Sequence, residues 1–226
     1  MSFEHEQTLP VGVLLSGTGR TLANLLEEIQ NGDLPLCIVA VGSDRESARG
    51  LEIARAAQIP VRVFKKSQFA GKEERDREIF HWQHEHGARL LCLAGYLSLL
   101  DLSFRAGLPV LNIHPALLPR FGGAGYYGDR VHSAVLAAGE KESGATVHLV
   151  DEHFDSGQIL ARIKVPVLAS DDLASLRARV FQAECRLYPR VLAWIAAGRL
   201  RLTPQGAFSE SGNWAPVTLD EGGEEI

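Results

Sequence analysis

Two hydrophobic periods alternate along this chain. Residues 11–15 (VGVLL) form a short continuous apolar run, and Leu22, Leu25, Leu26 and Ile29 then recur at i, i+3, i+4 and i+7. The run reads as a buried strand and the spaced leucines as one face of a helix, which Gly32 stops. The same rhythm repeats. Strands are predicted at 36–42 (LCIVAVG), 61–64, 90–95 (LLCLAG) and 109–114 (PVLNIH), and helices at 47–58 and 72–86, with a short one at 97–105. Residues 115–128 hold two prolines and four glycines, too many for a regular element, so they form a long loop. Long loops in compact domains are usually functional. A helix at 131–138 follows, then β-runs at 145–150 and 158–165 joined through 151–157, then a long helix over 171–197 with a kink expected at Pro189. Periodicity ends after Leu202.

Continuous Val/Ile/Leu strands alternating with amphipathic helices specify an α/β fold. It is expected to be doubly wound, with a mostly parallel sheet, helices on both faces and an antiparallel hairpin towards the C-terminal part. Residues 1–205 are expected to form one such domain, and 206–226 an irregular acidic tail. In sheets of this kind ligands bind beyond the carboxyl ends of the strands. The loops after Leu15, Gly42, Leu93 and Ile113, and the turn near Asp155, are therefore where chemistry is expected.

Composition narrows the classes. With 226 residues, 46% of them hydrophobic, the chain can build a full core without disulfide or metal staples. A net charge of −5 argues against a nucleic-acid binder held by phosphate contacts. Apolar runs such as 90–94 and 165–169 are far too short to span a bilayer, and the first ten residues carry no apolar signal segment. Cys37, Cys92 and Cys185 are odd in number and lack CxxC spacing, as expected of free thiols in a reducing compartment. A cytoplasmic protein acting on small molecules is the expectation, with neither nucleic acid nor membrane as partner. The oligomeric state stays open, a homodimer included.

Three segments carry candidate chemistry. The first is Ser16-Gly17-Thr18-Gly19-Arg20-Thr21, a small-residue turn from a strand into a helix. Exposed N–H groups at a helix start attract an anion such as phosphate. It lacks the third glycine of a dinucleotide fingerprint and the Gly-Lys-Ser/Thr of a P-loop, and a plain tight turn competes with the phosphate reading. The second is Asn112-Ile113-His114. Residues i and i+2 of a strand share a face, so the amide and imidazole project together. They suit charge stabilisation and proton transfer, although a buried Asn–His pair tied to backbone is the plainer alternative. The third is the stretch from Asp151 to Gly157, either a solvated turn or a loop that points Asp155 at His114 and raises the imidazole pKa. His81, His84 and His86 lack an HExxH pattern and read as a solvated face, so no metal is expected. A dinucleotide-dependent oxidoreductase is a remoter alternative, with Asp44 placed where a ribose-binding acid would stand.

The segments LLSGTGRTL, LAGYLSLL, NIHPALLPRFGG, GATVHLVDEHFDSGQIL and YPRVLAWIAAGRL together resemble the folate-dependent formyltransferases, most closely those of purine biosynthesis. The resemblance implies transfer of a formyl group from 10-formyltetrahydrofolate, as co-substrate, to the amine of glycinamide ribonucleotide, with no metal and no NAD. A sugar-nucleotide amine as acceptor, or hydrolysis of the formyl-folate, are the related alternatives. Residue by residue, it implies that Asn112, His114 and Asp155 are catalytic. Asn112 and a protonated His114 would stabilise charge on the formyl oxygen, and Asp155 would keep His114 charged and accept the amine proton. Gly17, Thr18, Gly19, Arg20 and Thr21 would hold the substrate phosphate, and Glu184 the glycinamide end. Lys72, Leu97, Ser98, Leu99, Leu100, Asn112 and Asp151 would contact folate, and His148 would support the trio. This chain has Arg20 and Thr21 where the family has Ser and Asn, Lys72 where it has arginine, and a Gly/Tyr-rich 122–128 segment.

Overall fold

The computed structural model describes residues 8–203 and 206–226. It divides into two compact units, Met1–Val110 with Leu192–Arg199, and Leu111–Val191 with Leu200–Ile226.

The first unit is built from β1 (Leu9–Leu15), α1 (Arg20–Asn31), β2 (Leu36–Ser43), α2 (Gly50–Ala56), β3 (Val61–Val63), α3 (Lys72–Glu85) and β4 (Leu90–Leu93). Its strands run in the order β4-β1-β2-β3, all parallel. The apolar runs explain this order. β1 is buried from Val11 to Leu15 and β4 throughout, as strands covered on both faces must be. Leu22 and Leu25 of α1 are the buried positions of the predicted helical face.

The predicted helix at 97–105 is reduced to one 3₁₀ turn, Leu102–Phe104, and residues 97–101 form neither helix nor strand. Side chains from elsewhere hold that stretch. Leu97 N–H donates to Ser16 Oγ over 3.0 Å, and Asp101 N–H to Asp76 Oδ2 over 2.8 Å. Bonds to other parts of the chain have replaced the helical ladder.

The second unit contains β5 (Val110–His114) from Leu111 on, α4 (Asp129–Ala137), β6 (Glu142–Leu149), β7 (Ile159–Pro166), α5 (Leu173–Ala196) as far as Val191, β8 (Arg201–Thr203), β9 (Gly206–Ser209), β10 (Gly212–Asn213) and β11 (Val217–Leu219). The expected hairpin is β6–β7, antiparallel, and β6 also pairs antiparallel with β5. β11 lies parallel to β7 on its other side. The α/β class and the mostly parallel pairing predicted from the sequence are what the structure has. α5 runs through Pro189 as one helix.

The stretch 206–226, expected as an irregular tail, is instead structured. β8, β9 and β10 form a small antiparallel sheet. The Trp214 indole N–H donates to the Leu160 carbonyl over 2.8 Å, anchoring the chain before β11. Strands of two to four residues leave too short a pattern for periodicity to register.

Gly19 and Gly17 differ in what they demand. Gly19 has φ +76°, and a Cβ there would lie 2.4 Å from the Gly50 Cα, whereas one on Gly17 would meet nothing within 4 Å. Gly19→Ala is therefore expected to lower stability by about 2 kcal/mol or more, and Gly17→Ala by less than about 0.5 kcal/mol. Thermal unfolding of the two variants checks this, and equal shifts would show that the close approach to Gly50 is not what selects glycine.

Candidate active site

The register of β5 against β6 assembles the site. Asn112 pairs with His148 and His114 with Thr146. Directly opposed residues of an antiparallel pair point to the same face, so these four side chains share one. A register shift in the β6–β7 ladder falls between Val147 and His148, at the point where β6 delivers its imidazole.

The connection after β6 brings in the carboxylate. Asp151 Oδ1 accepts from His153 N–H over 3.0 Å and from Ser156 Oγ over 2.7 Å, closing the turn on itself. A Cβ on Gly157 would sit 1.8 Å from the Leu149 carbonyl oxygen, so only glycine lets the chain return to β7. Between them Asp155 adopts φ +55°, a left-handed conformation that aspartate tolerates better than most residues.

The Asp155 carboxylate is the centre of the cluster. Its Oδ1 lies 3.3 Å from Asn112 Nδ2 and 3.6 Å from His148 Nε2. Its Oδ2 lies 3.4 Å from His114 Nδ1 and accepts Gly123 N–H over 3.0 Å. Both imidazoles are buried, and the Asp155 side chain is 10% exposed.

The partners fix the proton positions. His148 Nδ1 is 2.8 Å from the Leu149 carbonyl, which only accepts, so this nitrogen carries hydrogen. In neutral His148 the other nitrogen is then an acceptor, 3.1 Å from Asn112 Nδ2. The Asn112 amide nitrogen thus faces two acceptors, an imidazole nitrogen and a carboxylate, and its orientation is set by them. His114 Nε2 is 2.8 Å from the Phe121 carbonyl. With hydrogen on that nitrogen, neutral His114 turns a lone pair at Nδ1 towards Asp155.

Burial is the strongest influence on His114 and takes its pKa below the ordinary value, with His148 adding to the fall, while Asp155 and the Phe121 carbonyl pull it up. Asp155 acts in the direction expected from the sequence, but burial outweighs it. Burial therefore works against the protonated His114 that the resemblance implies. Burial alone would raise Asp155; the His148 and His114 rings and the Gly123 N–H outweigh it and hold the carboxyl below its usual range.

The 115–128 loop contributes backbone groups that residue identity could not reveal, the Phe121 carbonyl and the Gly123 N–H. Buried Thr146 ties the loop down: its Oγ1 donates to the Ala116 carbonyl over 2.6 Å and accepts Leu118 N–H over 3.1 Å. Arg162 Nε donates to the Leu118 carbonyl over 3.0 Å. A Cβ on Gly122 would lie 2.3 Å from Leu118 Cδ2 and 3.2 Å from Asp155 Cβ, so glycine keeps the loop close to the carboxylate. The only signals of these roles in the sequence were the loop's glycines and Thr146's place two residues before His148.

The other predicted residues are distributed over both units. In the first, Gly17, Thr18 and Gly19 form the turn between β1 and α1, and Arg20 and Thr21 open the helix. The α1 N-terminus has no side-chain cap and no acidic residue in its first turn, which leaves its dipole open to an anion. Lys72 opens α3, half-exposed, with Nζ 2.8 Å from Asp76 Oδ2. Leu97, Ser98, Leu99 and Leu100 lie in the irregular stretch, with Leu97 exposed and Leu100 buried. In the second unit, Glu184 lies on α5 and Asp151 in the turn that carries Asp155. Among the described residues no group of three or more His, Cys, Asp or Glu is placed to hold a metal, and no helix is long and apolar enough to cross a membrane.

Residues 10–192 match a family model described as formyl transferase. The chain is 36% identical over 200 residues to the phosphoribosylglycinamide formyltransferase of Haemophilus influenzae, an alignment covering 88% of this chain and 92% of that protein. The crystal structure of glycinamide ribonucleotide transformylase 1 from Symbiobacterium toebii is similar at a TM-score of 0.81 and 33% identity, covering 92% of this chain and 96% of that one. The structure of phosphoribosylglycinamide formyltransferase from Brucella melitensis is similar at a TM-score of 0.76 and 42% identity, covering 85% and 97%.

An NMR titration of His114 is expected to give a midpoint below about 6.5. Asp155→Asn removes the carboxylate that supports the imidazolium and moves the midpoint lower still. A midpoint at or above 6.5, or an unchanged one in the variant, contradicts this electrostatic account. The stability effect has a defined sign. The unfolded chain binds more protons at His114 than the folded one, so this contribution is full above about pH 6.5 and is lost as pH falls through the folded pKa.

Proposed function

The chain belongs to the formyl transferase family, and from that premise we propose that it transfers a formyl group from 10-formyltetrahydrofolate to the primary amine of glycinamide ribonucleotide, a step of purine biosynthesis. The observation that carries this reading is the convergence of Asn112, His114 and His148 on the Asp155 carboxylate. The names of its relatives and structural neighbours support the same reaction.

The folate supplies an activated formyl carbon when bound, and the amine supplies the electron pair. An amine with a pKa near about 8 is already partly neutral at pH 7 and needs little help to attack. Charge growing on the formyl oxygen is the larger cost. Asn112 meets it with an N–H. Its longer bond, 3.3 Å to Asp155, is the one the formyl oxygen displaces, while the 3.1 Å bond to His148 keeps the amide oriented. Such a donor is typically worth about 3–4 kcal/mol.

His114 serves the proton transfer that its place on the strand suggests. Burial lowers its pKa, and its Nδ1, facing Asp155, takes the proton that the amine gives up. As imidazolium it donates from Nε2 to the Phe121 carbonyl and from Nδ1 to Asp155 Oδ2, so proton uptake completes both ring hydrogen bonds. Asp155 contributes the charge that makes this proton welcome.

The ribonucleotide phosphate is assigned to Gly17, Thr18, Gly19, Arg20 and Thr21, where uncapped N–H groups and a guanidinium suit an anion. Glu184 is assigned to the glycinamide end. Folate is assigned to Lys72, the Leu97, Ser98, Leu99 and Leu100 strip, Asn112 and Asp151. An ammonium has three donors, so Lys72 can serve a folate carboxylate while keeping its bond to Asp76.

Supplying purified protein with 10-formyltetrahydrofolate and glycinamide ribonucleotide, and following folate absorbance, tests the reaction. Asn112→Ala is expected to lower kcat about 10²- to 10³-fold. Near-wild-type turnover by both Asn112→Ala and His114→Ala would remove these residues from the chemistry.

A further inference from the structure

Asp44 has no part in the proposed formyl transfer, yet it is an expensive residue to keep. It comes directly after β2, and its side chain is only 7% exposed. The bend that presents it is built by buried Ser43, whose Oγ donates to the Arg45 carbonyl over 3.0 Å and accepts Arg45 N–H over 3.1 Å. Asp44 Oδ2 accepts a hydrogen bond from Ser98 Oγ over 2.9 Å. Its Oδ1 is buried and accepts none from the described residues, with Arg45 Nε 3.9 Å away. A buried carboxylate with one hydroxyl donor and one loose cation is poorly compensated, which calls for a reason other than stability.

Ser98 lies in the middle of residues 97–101, which lack a helical or strand ladder of their own. That stretch is held at three points: Leu97 N–H on Ser16 Oγ, Ser98 Oγ on Asp44 Oδ2, and Asp101 N–H on Asp76 Oδ2. The outer anchors hold backbone, and Asp76 is itself fixed by Arg75 and Lys72. The middle anchor alone runs side chain to side chain. It can be removed while both ends of the stretch stay attached.

We propose that Asp44 is a positioning residue for the folate, acting through Ser98 to set the course of the Leu97–Leu100 strip. This rests on the proposed function, in which the strip faces the folate. Loss of the carboxylate softens the folate wall and leaves Asn112, His114 and Asp155 as they are. The signature is weakened folate affinity with unchanged chemistry.

The test uses the full chain and two readouts, steady-state formyl transfer and calorimetric binding of tetrahydrofolate. Asp44→Ala is expected to raise the folate Kd and KM about five- to tenfold, with kcat and the KM for glycinamide ribonucleotide within about twofold of wild type. Asp44→Asn keeps an oxygen for the Ser98 hydroxyl and is expected to restore folate affinity to within about twofold. Ser98→Ala should also raise the folate Kd, and the double variant should bind folate no more weakly than Ser98→Ala alone. Ser98→Ala also serves where Asp44→Ala does not fold. Unchanged folate affinity in Asp44→Ala or Ser98→Ala, or loss of folate affinity and kcat together, overturns the assignment. If the wild-type chain binds tetrahydrofolate but transfers no formyl group, the formyl-transfer reading fails, and the binding series still decides on Asp44. A wild-type chain that binds no folate refutes both.

Discussion

The Asp155 carboxylate accepts one N–H from the Asn112 side chain and one from the Gly123 backbone, and the second unit is arranged around those two bonds. Two imidazoles, an amide and a backbone N–H surround it within 3.6 Å. They come from three pieces of structure, β5, β6 and the 115–128 loop, and each piece is held by something else. The β5–β6 register places Asn112 opposite His148, the Asp151 turn aims the carboxylate, and Thr146 and Arg162 hold the loop that supplies Gly123. A one-residue slip of register would turn Asn112 and His114 to the opposite face together.

Burial sets the protonation states and so divides the labour. His114 has an acceptor at each ring nitrogen, an arrangement suited to imidazolium, yet burial keeps the ring below its ordinary pKa. A proton taken up at Nδ1 would complete both ring hydrogen bonds. The proton transfer proposed for this cluster requires little movement, because an acceptor already stands at each ring nitrogen of His114.

Much of this was legible in the sequence. NIH on a strand end put Asn112 and His114 on one face, and the alternation of apolar runs with helical leucines specified the α/β class. The net protonation state of His114 was not legible, since it depends on how burial weighs against Asp155, and burial belongs to the whole packing. Nor were the Phe121 carbonyl and Gly123 N–H, because every residue carries such groups and only the path of the chain selects two of them. The irregular course of 97–101 misled for a related reason: leucine spacing suggested a helix, but Ser16, Asp44 and Asp76 offered the chain other partners. The strands in 206–226 were too short for any period to appear.

The last of those strands bears on solubility. Without β11, one side of the eight-residue β7 would present its outward peptide groups unpaired. Such a margin is an open template for another polypeptide. β11 covers part of it with three residues, and the chain then turns back through Gly222 and Gly223 among Asp220, Glu221, Glu224 and Glu225. A long sticky border is exchanged for a short, negatively charged one that repels its own kind. β11 and the acidic turn after it thus leave this side of β7 with a shorter, charged border.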